Sequence, residues 1–270
     1  MRIDQKEVTT VIVTYNSAAV LTDCISSLRK CSSGPIIVID NASSDCSVQI
    51  ARAACVEVHE LSQNYGFAYA ANYGASAAQS PYLCFLNPDC IFDVSLLKTA
   101  SETFLKSERC VAVPDFIHDD GQIVRGCQPG YTWIKILADC IENNRNWPRL
   151  IEVLKCLPGY NSRQWKWPLC ACAFISKRFF FEMGGFDKEY FLYMEDVELG
   201  NAIYRYGGTI ESLDTRVYHH AQTGSTITAS RRMMLLNKAR LQYARKHYGA
   251  FFEGVLHMLI NKEKIIIMEP

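Results

Sequence analysis

The chain's 270 residues suit one large α/β domain, alone or with a helical appendage. Hydrophobic residues make up 49% and charged ones 21%, the balance of a globular protein with a sizeable core. Its 28 basic residues cancel its 28 acidic ones, which speaks against a whole-surface nucleic-acid binder.

Twelve cysteines lie scattered from Cys24 to Cys172 with no CxxC spacing. They read as reduced, mostly buried small hydrophobes, with a disulfide framework or zinc site as the alternative. Met1 to Glu7 is polar and charged, unlike a secretory leader, and no apolar run has the length of a membrane span. A cytoplasmic protein is expected.

Val8 to Thr14 is a continuous β-branched run, the mark of a strand buried on both faces. Ser17 can cap the next helix, where Leu21, Ile25 and Leu28 share one face until Gly34-Pro35. Pro35 to Asp40 is a second buried strand, and Ser43 to Asp45 is a turn before a helix to about Ala54. Val56 to Leu61 reads as a strand, Ala68 to Ala78 as an alanine-rich helix and Tyr82 to Leu86 as a strand. Strands and helices alternating at this pace predict a doubly wound, mostly parallel sheet flanked by helices. Lys98 to Leu105 looks helical, and Val111 to Phe116 extended. Asp119 to Trp165 has weak periodicity and reads either as an acceptor-side insertion or as structureless filler. Leu169 to Ser176 is an apolar strand, Asp196 to Tyr206 a helix, and Thr209 to Ser212 and Arg216 to His219 are two short strands. A long amphipathic helix follows Thr228. Residues 1–228 are therefore expected to form the main α/β unit, and 229–270 a helical extension.

Ligands of doubly wound sheets bind beyond the carboxyl ends of the strands. The first strand ends Thr14-Tyr15-Asn16-Ser17 without a GxGxxG, which speaks against a dinucleotide-binding dehydrogenase. Asp40, at the end of the second strand, can accept from a base or a ribose hydroxyl, whereas Asp45 reads as a helix cap. In Asn87-Pro88-Asp89 a strand breaks at proline and presents a carboxylate suited to Mg²⁺ or Mn²⁺, although such a tripeptide is also a common turn. Glu195 and Asp196 follow two glycines and an aromatic cluster and open a helix, where the free N–H groups keep a carboxylate ionised. That suits a general base; a simple helix cap is the plainer reading. His219 and His220 end a strand and are candidate metal ligands, with Gly224-Ser225-Thr226 just beyond.

Six segments together resemble the family 2 glycosyltransferases, which share the GT-A fold of nucleotide-diphospho-sugar transferases. They are VIVTYN (11–16), IIVIDNASSD (36–45), NYGFAYAANYG (64–74), FLNPDC (85–90), GGFDKEYFLYMEDVEL (184–199) and YHHAQTGST (218–226), in the family's order. Within the family, the likeness is to the bacterial rhamnosyltransferase-like branch, which builds O-antigen and related polysaccharides. The resemblance implies that Thr14, Tyr15 and Asn16 line a nucleoside pocket, with Asp40 on the base or ribose. It places Asn64, Gly66 and Asn72 near the donor. Asp89 takes the last carboxylate position of the family's Asp-x-Asp, with Asn87 in the first. Asp196 matches the catalytic base, Glu195 is its acidic neighbour, and His219 or His220, the former favoured by strand register, helps hold metal and diphosphate. The donor would be a dTDP- or UDP-linked sugar, and the acceptor a glycan or lipid-linked glycan.

Two departures from the pattern stand out. Cys170 replaces a frequent glycine on the acceptor side, and Ala202 replaces a frequent arginine on the helix after the acidic pair, leaving Arg205 or another cation to support it. The second departure motivates a non-catalytic nucleotide-sugar-binding protein as the alternative. A nucleotidyltransferase would need a glycine- and cation-rich loop after the first strand, which Thr14 to Ala19 lacks. Trp165 and Trp167 could stack on acceptor sugars or belong to the core. From Arg231 onward cations outnumber acids, and Leu235, Phe251, Phe252, Leu256 and Leu259 make an apolar face, with Ile265 to Met268 a terminal patch. Such a helix can touch the inner face of a membrane peripherally or pack on the catalytic unit.

Overall fold

The computed structural model describes residues 7–93, 95–104, 107–142, 148–220 and 227–266. The first half runs β1 (Val8–Thr14), α1 (Ala18–Cys31), β2 (Ile36–Asp40), α2 (Ser47–Ala53), β3 (Glu57–Glu60), α3 (Phe67–Ala77), β4 (Tyr82–Leu86), β5 (Cys90–Ile91) and α4 (Ser95–Phe104). The second runs β6 (Cys110–Ile117), β7 (Ile123–Val124), β8 (Cys127–Tyr131), α5 (Trp133–Glu142), α6 (Pro148–Cys156), β9 (Asn161–Pro168), β10 (Cys172–Ser176), α7 (Lys177–Glu182), α8 (Glu195–Arg205), β11 (Thr209–His219) and α9 (Ala229–Ile266).

The central sheet has the order β3-β2-β1-β4-β10-β6-β11-β5, with β7 added beside β6. Strands β1 to β4 are mutually parallel, and β6 and β11 run parallel to each other. Only β10 and β5 oppose their neighbours in this order. The expected mostly parallel α/β sheet is therefore present, and β10 is inserted antiparallel at its centre. Alternate side chains of β1 supply two separate cores. Ile12 packs with Leu21, Ile25 and Leu28 of α1 on one face, and Val11 packs with Ala71 and Ala75 of α3 on the other. This sandwiching explains the unbroken β-branched run.

Several elements differ from the sequence expectation. The start of α1 is capped by Asp45, whose Oδ2 accepts from the Ala18 N–H at 2.9 Å, while the Ser17 hydroxyl donates to the Tyr15 carbonyl. Asp45 Oδ1 also accepts from the Ser47 N–H, so one carboxylate ties the beginnings of α1 and α2 together. Burial works to raise that carboxyl, but the hydrogen bonds from Ser47 and Ala18 hold it below the usual range. The two short strands after α8 are one strand, β11, with a register shift between Ser212 and Arg216.

The described residues of the Asp119 to Trp165 stretch are built structure, not filler: β8 and β9 form a second sheet, and α5 and α6 pack beside it. Trp165 and Trp167 belong to this packing and do not line the main cavity described below. All twelve cysteines are free thiols.

The first part of α9 seals this region, with Ala239, Tyr243 and Ala244 packed against Tyr131, Tyr190, Met194 and Val197. At Gly249 the helix kinks through φ 86°. Beyond the kink Leu256 is buried and Phe252 and Leu259 pack inward, whereas Phe251 (88% exposed) and Met258 face solvent. The expected apolar face is thus divided between core and surface. The Ile265 to Met268 patch and Gly224 to Thr226 lie outside the residues whose side chains are described. No described helix is long and apolar enough to cross a membrane.

Helix α8 lies against the backbone of β9 at Gly200, where a Cβ would overlap Trp167 and stand 2.7 Å from the Lys166 carbonyl oxygen. Alanine is the better helix former by about 1 kcal/mol. The collision outweighs this, so Gly200→Ala should destabilise by ~1–3 kcal/mol, as overpacking does, in a urea titration. A stabilised variant would show that α8 can shift freely on β9.

Candidate active site

At the carboxyl ends of β1 and β4, the amino end of β10 and the start of α8, side chains surround a cavity of about 360 Å³. The strand pairing brings Thr14 opposite Asp40. Both are buried, and Thr14 Oγ1 and Asp40 Oδ1 have no hydrogen-bond partner. The other Asp40 oxygen accepts from the Ser43 N–H at 2.9 Å. Tyr15 lines the cavity, whereas Asn16 ties the β1 and β2 loops together by accepting from the Ser44 N–H at 2.8 Å. Asn16 and Ala42 both hold left-handed backbones, φ 52° and 62°.

Asn64 and Gly66 line the cavity. Asn41 holds them in place: its Oδ1 accepts from the Tyr65 N–H and its Nδ2 donates to the Gly66 carbonyl. Gly66 has φ 88°, and a Cβ there would overlap the Phe191 carbonyl, so only glycine fits. Asn72 stands away from the cavity wall. Its amide accepts from the Phe186 N–H at 2.9 Å and donates to the Phe186 carbonyl at 2.8 Å, bracing the turn that leads to the acidic pair.

The break after β4 is held by the Asn87 N–H donating to Ala171 and the Cys90 N–H donating to Asn87. Asn87 and Asp89 both line the cavity. Pairing of β11 with β5 sets His219 opposite Cys90. His219 Nε2 then lies 3.2 Å from Asp89 Oδ1, without the alignment of a hydrogen bond. Asp89, Cys90 and His219 present ligand atoms within 4.8 Å of one another. Cys90 is a poor third ligand for a hard cation: its buried thiol points to the Ala171 carbonyl, and burial holds it far above the usual thiol range. A carboxylate oxygen and an imidazole nitrogen, both lacking aligned partners, do fit Mg²⁺ or Mn²⁺. His220 points elsewhere, with Nδ1 2.8 Å from Asp119 Oδ1. His118 was missed by the sequence reading. It directly follows β6, its Nε2 is buried without a partner, and its ring stands edge-on to His219 at 5.4 Å. Its place just past a strand end was the available signal.

Tyr193 and Met194 both adopt left-handed backbones, φ 71° and 70°, and turn the chain sharply into α8. Such strain at two bulky residues in succession persists only where surrounding structure enforces it. The turn delivers Glu195 and Asp196 to the cavity. Glu195 is buried and its Oε2 has no partner, while Asp196 Oδ1 accepts from the Val197 N–H at 2.8 Å. Burial pushes the Asp196 carboxyl up to about 7 against the pull of the helix N–H groups. Burial, and then the Asp196 charge, push Glu195 up to about 8. Two acids poised near neutrality beside a carboxylate–imidazole pair in one cavity suit proton transfer coupled to departure of a charged group.

A model of the family described as glycosyl transferase family 2 matches residues 9–178. The chain belongs to this family. It is 25% identical over 232 residues to the N-acetylglucosaminyl-diphospho-decaprenol L-rhamnosyltransferase of Mycobacterium tuberculosis, covering 78% of this chain and 75% of that protein. Among solved structures, mannosyltransferase PcManGT from Pyrobaculum calidifontis in complex with GDP-Man and Mn²⁺ superposes with a TM-score of 0.62 at 14% identity, over 95% of this chain and 70% of that one. GalNAc-T7 with UDP, GalNAc and Mn²⁺ gives a TM-score of 0.61 at 17% identity over 88% of this chain. The chain spans about half of GalNAc-T7, 47% of its length. The fold is that of the GT-A glycosyltransferases.

In this glycosyltransferase the two departures have different consequences. Ala202 is buried in the core on the α3 side of the sheet and does not line the cavity. Arg205 turns to Glu198, 3.5 Å away, rather than to the acidic pair. Cys170 does line the cavity, and its thiol is held well above the usual range by burial and then by the Asp196 and Glu195 charges.

The acidic pair makes stability depend on pH in a definite direction. Between the unfolded carboxyl values near 4 and the folded values of about 7 and 8, the native state keeps protons that the unfolded chain has lost. Stability therefore falls as pH rises through that window. Glu195→Gln should raise the melting temperature at pH 8, by ~2–4 °C for each kcal/mol relieved, and bring no such gain at pH 4. A gain of equal size at both values would contradict the buried-charge account.

Proposed function

We propose that this glycosyltransferase moves a rhamnosyl residue, with inversion, from a dTDP- or UDP-linked donor to a hydroxyl of a lipid-diphosphate-linked N-acetylglucosamine during cell-surface polysaccharide synthesis. The observation that carries the reading is the shared cavity, in which a desolvated acidic pair and the Asp89–His219 pair meet at the strand ends. The mycobacterial relative's named reaction supports the choice of sugar and acceptor. A non-catalytic sugar-nucleotide binder was motivated by Ala202, and that position does not reach the cavity.

On this reading Asp196 accepts the proton of the acceptor hydroxyl as its oxygen attacks the anomeric carbon. The bond from that carbon to the diphosphate breaks, and the nucleoside diphosphate leaves with the electron pair. Mg²⁺ or Mn²⁺ on Asp89 and His219 would supply charge neutralisation for the leaving diphosphate. Glu195 and Asp196 titrate as a unit, so one carboxyl keeps a proton while the other takes one, and the cavity avoids two adjacent full charges. Tyr15 and the loop held by Asn41 form the nucleoside end, with Thr14 and Asp40 beneath it. The exposed Phe251 and Met258, with the cations of α9, would give weak peripheral contact with a membrane that holds the acceptor.

Asp196→Asn should leave donor binding intact and lower turnover at least ~100-fold, the size of a general-base contribution, in a radiolabelled-donor transfer assay. Near-normal turnover would remove Asp196 from the role. Asp89→Ala should weaken calorimetric binding of nucleoside diphosphate with Mn²⁺ far more than binding of the bare nucleoside. Equal losses for both ligands would count against metal bridging at Asp89.

A further inference from the structure

A second groove, of about 220 Å³, lies behind the loop that carries Phe191 and Leu192. These two residues line both it and the catalytic cavity. Its other wall is one stripe of α9: Arg231, Leu235, Lys238 and Gln242, spaced i, i+4, i+7 and i+11. Ile227, four residues before Arg231, lines the catalytic cavity, so the chain passes directly from one hollow to the other.

The charges along α9 divide sharply. Arg240 pairs with Asp139, Arg245 with Glu253, and Lys246 with both Asp187 and Glu198. Arg231, Arg232 and Lys238 form no ion pair among the described residues. Arg231 reaches only the Met234 sulfur, at 3.7 Å. Glu189 lines the groove too, yet it does not come within ion-pairing distance of either Arg231 or Lys238. Two of these three cations, Arg231 and Lys238, line the groove, and Leu192, Phe191 and Leu235 give the same groove an apolar wall. A ligand complementary to it carries negative charge joined to an apolar chain.

We propose that this groove binds the diphosphate of the prenyl-diphosphate acceptor, with Arg231 and Lys238 as its cationic ligands and Leu192 and Leu235 against the first prenyl units. The acceptor sugar then enters the catalytic cavity past Phe191, toward Asp196. The inference rests on the lipid-linked acceptor reading above and adds the surface that recognises the linkage. It also separates two diphosphates in space: the donor's at Asp89 and His219, and the acceptor's at α9.

Farnesyl diphosphate, titrated calorimetrically with EDTA present, tests the groove without turnover. The wild type should bind it, and farnesol far more weakly. Arg231→Gln and Lys238→Gln should each weaken it about tenfold, the contribution of one charge-assisted contact. Both side chains are exposed, so the variants should melt as the wild type does. Asp89→Ala should leave farnesyl diphosphate binding intact. Inorganic diphosphate should compete only at much higher concentration, which distinguishes a prenyl-diphosphate site from a plain anion site. Unchanged affinity in both α9 variants, or an equal loss of nucleoside diphosphate binding in them, would overturn the proposal. A transfer assay with N-acetylglucosaminyl-diphospho-farnesol keeps the two readings apart. No transfer by a wild type that binds farnesyl diphosphate through Arg231 and Lys238 would defeat the acceptor reading and leave the groove assigned.

Discussion

The cavity depends on one backbone contact between distant parts of the chain. The Phe191 carbonyl accepts from the Phe67 N–H at 2.9 Å, at the first residue of α3, and occupies the place where any side chain on Gly66 would project. This anchors the 185–194 loop over the end of the β1–β2 half of the sheet. Asn72 fixes the beginning of the same loop through Phe186. Between these pinned points and α8, Tyr193 and Met194 take left-handed backbones that make the turn. The acidic pair is carried into the cavity by that enforced turn. A larger residue at Gly66 would therefore displace the loop and shift Glu195 and Asp196 within the cavity.

The same geometry accounts for the electrostatics. A carboxylate at a helix N-terminus ordinarily gains from free N–H groups and stays ionised. Here Asp196 receives the Val197 N–H, yet burial outweighs it and the carboxyl is pushed up toward neutrality. Glu195 has no compensating partner at Oε2 and rises further. Thr14 Oγ1, Asp40 Oδ1 and His118 Nε2 are likewise buried without partners around the strand ends. Unsatisfied polar atoms cost stability wherever they are buried. Three such atoms, Asp89 Oδ1, Glu195 Oε2 and His219 Nδ1, belong to residues lining one cavity, and with the left-handed backbone at Tyr193 they mark a region shaped for a ligand rather than for folding.

What the sequence could reveal follows from the range of each signal. Burial of β1 and β2 on both faces writes itself as unbroken β-branched runs, and α1 as Leu21, Ile25 and Leu28, so those elements were legible locally. The antiparallel insertion of β10 between β4 and β6 was not, because direction within a sheet leaves no mark on a short apolar run. Asp45 was read as capping one helix and serves two, the second through a contact across 27 positions. Trp165 and Trp167 had two readings until β9 was seen to lie against α8, where Gly200 admits the Trp167 backbone. The two histidines part ways at the end of β11: His219, its last residue, lies 3.2 Å from Asp89, while His220, just past the strand, meets Asp119.

The C-terminal helix joins these features mechanically. Glu198 lies one turn along α8 from the acidic pair and is almost wholly buried, with His247 Nε2 at 2.6 Å and Lys246 Nζ at 3.1 Å. Burial works to raise its carboxyl, but these two side chains of α9 hold it below the usual range, so it stays ionised within the interface. A buried charge matched in this way is costly to separate from its partners. Farther toward the N-terminus of α9, Arg240 is held by Asp139 and the Tyr131 hydroxyl. These contacts fix the orientation of α9 against α8, and hence the position of Arg231 and Lys238 relative to Asp196. Arg240 and Lys246 are thereby committed to the packing of α9, whereas Arg231 and Lys238 stay on the groove side of the same helix, at a set distance from Asp196.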